Sequence, residues 1–402
     1  MFDRHVWLSV LAIAFLMVVH ECGHFFIARA YGMRVNKFSI GFGPTFFKIA
    51  PRDGYYWFTT AADKVRLRLW KHDEEKHGPT VYQVAMIPFL AYVHIAGMNP
   101  FEEIEESDKG SYANASLLGR VLTIFAGPAA NYLFASVLFF ATIFFGGKIV
   151  HGTDVTVIDG RPAAAAQMKS GDKIVSIDGV AVEEWRDMAA EISKHPGQTI
   201  PIVVDRKGQR VTITVTPANE RGSGKIGVAP ASPGRKVPAT AREAAVEAVT
   251  APPLVVKSAL TGLADWATGR SDGELSGFVG MVRETAKVAR RGWFDLFELL
   301  ATLSAYLGAF NLLPIPALDG ARLMFLGYEA TTRRRPNARI EAHIHAVGLV
   351  MMLGLMAYVT VNDIRRGDRP APSAAPAAAP SAAPSTGSSA TSAPSAAPSG
   401  GK

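Results

Sequence analysis

Four stretches of the chain are apolar for long enough to cross a bilayer, and loops of very unequal length separate them. They run from about Val6 to Ala30, Leu117 to Phe145, Phe294 to Leu313 and His343 to Val361. Each is close to the roughly 20 residues a helix needs to cover about 30 Å of hydrocarbon. The pattern predicts four membrane-spanning helices. The first follows MFDRH, which is barely basic, and no small-residue cleavage site comes after it, so it reads as a retained span and not as a secretory signal. Between the first two spans the period changes from helical to two. Val65, Leu67 and Leu69 alternate with Arg66 and Arg68, and YQVAMIPFLAYVHIAG follows, which predicts a small antiparallel sheet at the membrane surface. Gly41-Phe42-Gly43-Pro44 upstream reads as a flexible turn, either on the surface or dipping into the bilayer rim.

The second loop is too long to be a connector. From Asp154 to Pro217 it carries glycine-punctuated strands, a helix starting near Glu183, and two alternating runs, IPIVVDR and RVTITVTP, joined by the turn Lys207-Gly208. Residues 1–146 are thus expected to hold spans 1 and 2 with the sheet, 147–230 an inserted α+β domain, 231–293 an amphipathic linker and 294–368 spans 3 and 4. From 369 to 402 the chain is almost wholly Pro, Ala, Ser and Gly, which offers too little apolar surface to fold.

Composition narrows the class without naming it. At 402 residues and 49% hydrophobic content, a membrane domain and a soluble one both fit. The net charge of +7 is spread through the loops and calls for no nucleic-acid partner; juxtamembrane Lys and Arg account for it. Arg322, Arg333, Arg334, Arg335 and Arg339 between spans 3 and 4 favour a cytoplasmic third loop, opposed by Arg365, Arg366 and Arg369 beyond span 4. That orientation puts both termini and the inserted domain outside. Cys22 is the only cysteine, so an intrachain disulfide is impossible.

The chemistry is concentrated at two places far apart in sequence. His20, Glu21 and His24 form HECGH near the end of the first apolar run. Histidines at i and i+4 stack on one helical face, and the Glu between them is placed to polarise a metal-bound water. Ionisable groups at that depth are expensive, so function is their default explanation; two histidines capping a span is the plainer one. Fourteen apolar residues precede His20, so the pair should lie about 21 Å into the membrane at 1.5 Å per residue. A catalytic zinc site needs a third protein ligand and one open position. Asp319 in NLLPIPALDG is the candidate, following a span that two prolines would end, although an Asp-Gly turn could stand there for no other reason.

HECGH, FAGPAAN (residues 125–131), the inserted domain and NLLPIPALDG in this order resemble the site-2 protease family of zinc intramembrane proteases, in particular its bacterial sigma-E-regulating branch. The GDKIVSIDG segment and the elements after it resemble a PDZ domain, which binds extended peptides at a sheet edge. The resemblance implies Zn2+ as cofactor, His20, His24 and Asp319 as its ligands, Glu21 as the catalytic base, and Asn311 as a substrate-holding residue. It also implies a bacterial inner-membrane enzyme whose substrates are single-span proteins already trimmed by another protease. Leu90 and Ala91, Phe278 and Ala321 stand where the family usually has glycine or, at Phe278, proline. The expected fold is a polytopic α-helical membrane protein with a small membrane-associated β-sheet and an inserted PDZ-like α+β domain. An inert PDZ-bearing scaffold and a proton-relay transporter are the competing classes; neither requires Glu21 between two histidines at metal spacing.

Overall fold

The computed structural model describes residues 3–366 apart from 62–64, 75–77, 100–101, 103–104, 106, 221 and 270–277. The Pro/Ala/Ser tail and the side chains of Leu90 and Phe278 lie outside what is described. Two units divide the chain: one is built from the segments up to Lys148 and from Lys236 onward, the other is Ile149–Arg235.

Unit 1 is helical around a small sheet. Helix α1 (Arg4–Ala30) is capped by the Asp3 carboxylate, which accepts from the His5 N–H at 3.0 Å. Helix α2 (Leu117–Gly146) is capped in the same way by Ser116 on Gly119. After the insertion come α3 (Ala241–Ala267), α4 (Phe278–Ala289), α5 (Trp293–Asn311), α6 (Asp319–Thr332) and α7 (Ala338–Arg366). Among the described residues α1, α2, α5 and the bulk of α7 are long and apolar enough to cross a membrane. Their mutual packing uses small side chains. On α5, Ala301, Ser304, Ala305 and Gly308 are buried at helical spacing, which lets the α5 and α2 backbones approach closely; Ser304 Oγ donates to the Asn131 carbonyl at 2.8 Å. The region expected to be a linker contributes helix α3, whose Ala248 and Ala251 pack on Phe139 and Ala301.

The sheet has strands β1 (Val35–Arg52), β2 (Tyr55–Thr60), β3 (Arg66–Lys71) and β4 (Val81–Ile95) in the order β3-β2-β1-β4. Gly41 and Gly43 are not a free turn. Both have φ of 93° and sit inside β1, where repeated register shifts against β4 bend the strand without ending it. Only glycine adopts that backbone cheaply, so a bulged strand and a loop leave the same trace in sequence. Phe25 on α1 joins Met33, Val35, Phe38 and Ile95 in one buried cluster, which fastens the sheet to the helix that carries HECGH.

Unit 2 is a small α+β body. Strands β5 (Lys173–Ile177), β6 (Val180–Ala181), β7 (Ile200–Arg206) and β8 (Gln209–Val215) form a sheet in the order β8-β7-β5-β6. Period-two burial is clean: Ile200, Ile202 and Val204 of β7 and Ile213 and Val215 of β8 point into one aliphatic core with Met188 and Ile192 of the helix Trp185–Ser193. The β7–β8 hairpin turns at Lys207 and Gly208, with φ of 54° and 86°, the two left-handed positions a tight hairpin demands.

Candidate metal centre

Three side chains from two ends of the chain converge inside unit 1. His20 and His24 lie one helical turn apart on α1 and are 4% and 6% exposed. Asp319 is the first residue of α6, where a carboxylate is favoured by the unpaired N–H groups of the helix start. The segment that brings it there leaves α5 at Asn311 and passes through Pro314 and Pro316, which cannot continue a helix. Asp319 Oδ2 is 3.0 Å from His20 Nε2 and 3.4 Å from His24 Nε2, and the two ring nitrogens are 3.1 Å apart. Among the described residues this group alone brings at least three His, Cys, Asp or Glu ligand atoms within 4.8 Å of one another.

That triangle fits a tetrahedral zinc ion. With metal–nitrogen and metal–oxygen bonds of about 2.0–2.1 Å, the edge of the tetrahedron is about 3.3 Å. The observed edges bracket it. The outer nitrogens of both rings are fixed by α2, which decides which nitrogen is free for a metal. His24 Nδ1 is 2.8 Å from the Thr123 carbonyl, a contact only a protonated Nδ1 can make, so in the neutral ring Nε2 carries the lone pair. His20 Nδ1 is 3.1 Å from the amide of Asn131, a fully buried residue whose Oδ1 lacks a hydrogen-bond partner. Turning that amide over lets Oδ1 accept from the His20 Nδ1–H and frees Nε2 of His20 as well. Gly127 completes this wall. A Cβ there would stand 2.3 Å from His24 Nε2 and 2.8 Å from His20 Nε2, so the α2 backbone approaches the rings as closely as it does only because the residue is glycine.

Glu21 lies between the histidines in sequence and on the same helix. Its Oε2 accepts the backbone N–H of Val93 at 3.0 Å, so β4 and the ligand helix are joined at the candidate base. Cys22 is a free thiol packed beside the Phe25 cluster and takes no part in the group. Asn311 ends α5, and its Nδ2 donates to the Leu307 carbonyl at 2.9 Å, leaving one N–H and the Oδ1 for other partners. Thr123, Gly127, Asn131 and Val93 were given no role in the site from the sequence, where Gly127 and Asn131 stood only as letters of the FAGPAAN motif. An Asn inside an apolar span was a further signal among them.

Two histidines and a glutamate on a helix long enough to cross a membrane, met by a carboxylate at the start of α6, form a group that could hold a metal ion. The sequence matches Peptidase family M50 over residues 8–62 and 64–355, and the chain belongs to that family, the site-2 proteases. It is 28% identical to the zinc metalloprotease RasP of Geobacillus kaustophilus over 432 aligned residues, covering 87% of this chain and 95% of that protein. A protein of Mesorhizobium japonicum, whose name provisionally gives it as a zinc metalloprotease, is 32% identical over 376 residues, covering 87% and 95%. A similarly named protein of Agrobacterium fabrum is 28% identical over 380 residues, covering 88% and 94%. Zinc is therefore the cofactor expected at the triangle.

Proposed function

We propose that this membrane metalloprotease cuts peptide bonds within or at the edge of transmembrane segments of single-span proteins, with His20, His24 and Asp319 as zinc ligands and Glu21 as general base. One observation carries the reading: ligand atoms 299 positions apart in sequence meet at 3.0 Å on a helix of membrane-spanning length, beside a glutamate at the right place in the motif. Zinc, when bound, polarises the scissile carbonyl and makes water acidic enough to be deprotonated near neutral pH. Glu21 accepts the proton from the attacking water and returns it to the nitrogen of the leaving amine. Asn311 offers its remaining N–H to the substrate. A substrate helix hides its carbonyls in i to i−4 bonds and must unwind locally before attack. Strand β4, already tied to Glu21 through Val93, is where the unwound segment is held extended, since a strand pairs with another strand through backbone alone.

Unit 2 is read as a PDZ-like domain on the outer side of a bacterial inner membrane, supported by the order of its strands and helix and by the arginines between spans 3 and 4. From there it would admit only substrates already shortened by another protease. Anti-sigma factors and remnant signal peptides are the substrate types this implies. The test is a paired assay on purified full-length protein with a model single-span substrate. Glu21→Gln should keep about one zinc per chain and lose turnover by at least about a thousandfold, whereas His20→Ala, His24→Ala and Asp319→Ala should lose zinc as well. A Glu21→Gln protein that cleaves at the wild-type rate would refute the mechanism, and a wild type that binds zinc but cleaves nothing would favour a scaffold.

A further inference from the structure

The helix that delivers Asp319 is weakly held. Within α6 only Gly320, Ala321 and Leu326 are buried, and Leu318 at its start makes no side-chain capping bond. A second contact fixes its far end. Glu329 takes a forked ion pair from Arg120 of α2, Nη2 to Oε1 at 2.6 Å and Nη1 to Oε2 at 2.9 Å. Both side chains are nearly buried, 9% exposed for Arg120 and 13% for Glu329. Arg335 reaches the same carboxylate at only 3.8 Å.

The positions on the two helices are what give this pair a role. On α2, at about 100° per residue, Arg120, Thr123, Gly127 and Asn131 share one face. Three of these four form the wall that fixes and admits the histidine rings. On α6, Glu329 follows Asp319 by ten residues, about 15 Å along the axis and about 80° short of three full turns, so the two carboxylates sit nearly three turns apart along the helix and about a quarter-turn apart around it. Helix α2 therefore bears on α6 at the ion pair and on the histidine rings that Asp319 meets, so the pair ties the far end of α6 to the helix that orients those rings. A forked Arg–carboxylate pair fixes orientation as well as distance, which a single apolar contact does not.

We propose that Arg120 and Glu329 are positioning residues that act through α6 on Asp319, fixing the third ligand for zinc retention and turnover without touching metal or substrate. This rests on the reading of Asp319 as a zinc ligand. Purified full-length protein tests it with two readouts that a purely stabilising pair would leave alone: the rate at which a chromogenic chelator strips zinc, and the visible absorption of the cobalt-substituted protein, whose intensity reports coordination geometry. Glu329→Gln, which keeps shape and removes the charge, should release zinc at least about tenfold faster, shift the cobalt spectrum towards that of Asp319→Asn, and lower kcat with KM little changed. Arg120→Lys, retaining charge without the fork, should fall between, and the reversed pair Arg120→Glu with Glu329→Arg should recover part of the loss. If Glu329→Gln and Arg120→Lys keep the wild-type release rate and cobalt spectrum while only melting earlier, the pair is mere stabilisation and the inference fails. Should Glu329→Gln not accumulate, Arg120→Lys and the reversed pair decide by the same two readouts. A wild type that holds no zinc would overturn the functional reading itself, whereas identical zinc release in wild type and variants overturns the positioning role alone.

Discussion

Buried polar groups are used in opposite ways by the two units. In unit 1 His20, His24, Thr123, Asn131, Ser304 and Arg120 are all buried, and the bonds that hold them reach across as many as 299 positions of the chain. In unit 2 the core is aliphatic from Val155 to Ile226, and its buried charge, Asp172, is bonded to Arg206 only 34 positions away. Buried polar atoms cost free energy unless each is satisfied, so a unit collecting them is held to one geometry by chemistry, while an aliphatic core tolerates exchange if volume is kept. Substitutions in unit 1 should therefore register as lost metal and turnover, and those in unit 2 as lost stability with the metal undisturbed.

The sharpest way to break that contrast is Gly127→Ala. One methyl group would have to occupy space 2.3 Å from His24 Nε2, on helices that close packing keeps from parting. Zinc content should fall to background, with α-helical circular dichroism retained. If zinc stays bound, the α2 wall is less close than described and the contrast loses its main support. Next is Ile202→Ala in β7, fully buried in the core of unit 2. It should cost about 2–5 kcal/mol of that unit's stability, seen as faster proteolysis within residues 149–235, with zinc content of the whole chain unchanged. Parallel loss of zinc would mean that the two units are not independent in this sense.

How far the centre could be read in sequence depended on how each residue acts. In the proposed centre His20, Glu21, His24 and Asp319 would act through their side chains, so HECGH stood out by its spacing and LDG by the prolines that end the span before it. Thr123 acts through its backbone carbonyl, which leaves no mark in the letters, and Gly127 by having no side chain, so FAGPAAN displayed the glycine without its use. The Arg120–Glu329 pair joins residues 209 apart, which no local pattern connects. In the fold, the four apolar helices were legible because span length is set by the membrane. Strand β1 was not, because its glycines bend a strand as readily as they make a turn; helix α3 was not, because Pro252 and Pro253 lie inside it and suggest a break. In unit 2 the β7–β8 hairpin was legible, since period-two alternation is the direct consequence of one buried face, whereas the short strands of two or three residues were not.

Asn131→Ala should have a smaller effect than Gly127→Ala. It removes the group that orients the His20 ring without adding bulk, and losing such an outer partner lowers metal affinity about 10- to 100-fold. Competition with a chelator of known affinity measures it. Asn131→Asp, which accepts from the Nδ1–H without any choice of amide orientation, should bind zinc at least as tightly as wild type. Weaker binding by Asn131→Asp than by Asn131→Ala would show that the Asn131 amide donates to His20, contrary to the orientation assigned above.

The smallest effect is expected in unit 2 and depends on pH. Asp172 is 1% exposed, accepts two bonds from Arg206 at 2.7 and 2.8 Å, and accepts the Lys169 N–H at 2.8 Å. The Arg206 guanidinium, with help from that N–H against the cost of burial, holds its carboxyl below the ordinary 3.8. A native-state value below that of the unfolded chain stabilises the unit fully above the ordinary range, and the contribution is lost as pH falls from there through the lowered native value. Wild-type unit 2 should thus become more susceptible to an acid-active protease as pH falls from neutrality through and below the ordinary 3.8. Asp172→Asn should be less stable at pH 7 and lose less over the same interval, while Glu191 and Glu220, also lowered by cationic partners, continue to titrate in both proteins. Equal acid sensitivity in wild type and Asp172→Asn would show that the buried pair contributes nothing that depends on its charge, and that packing alone holds unit 2 together.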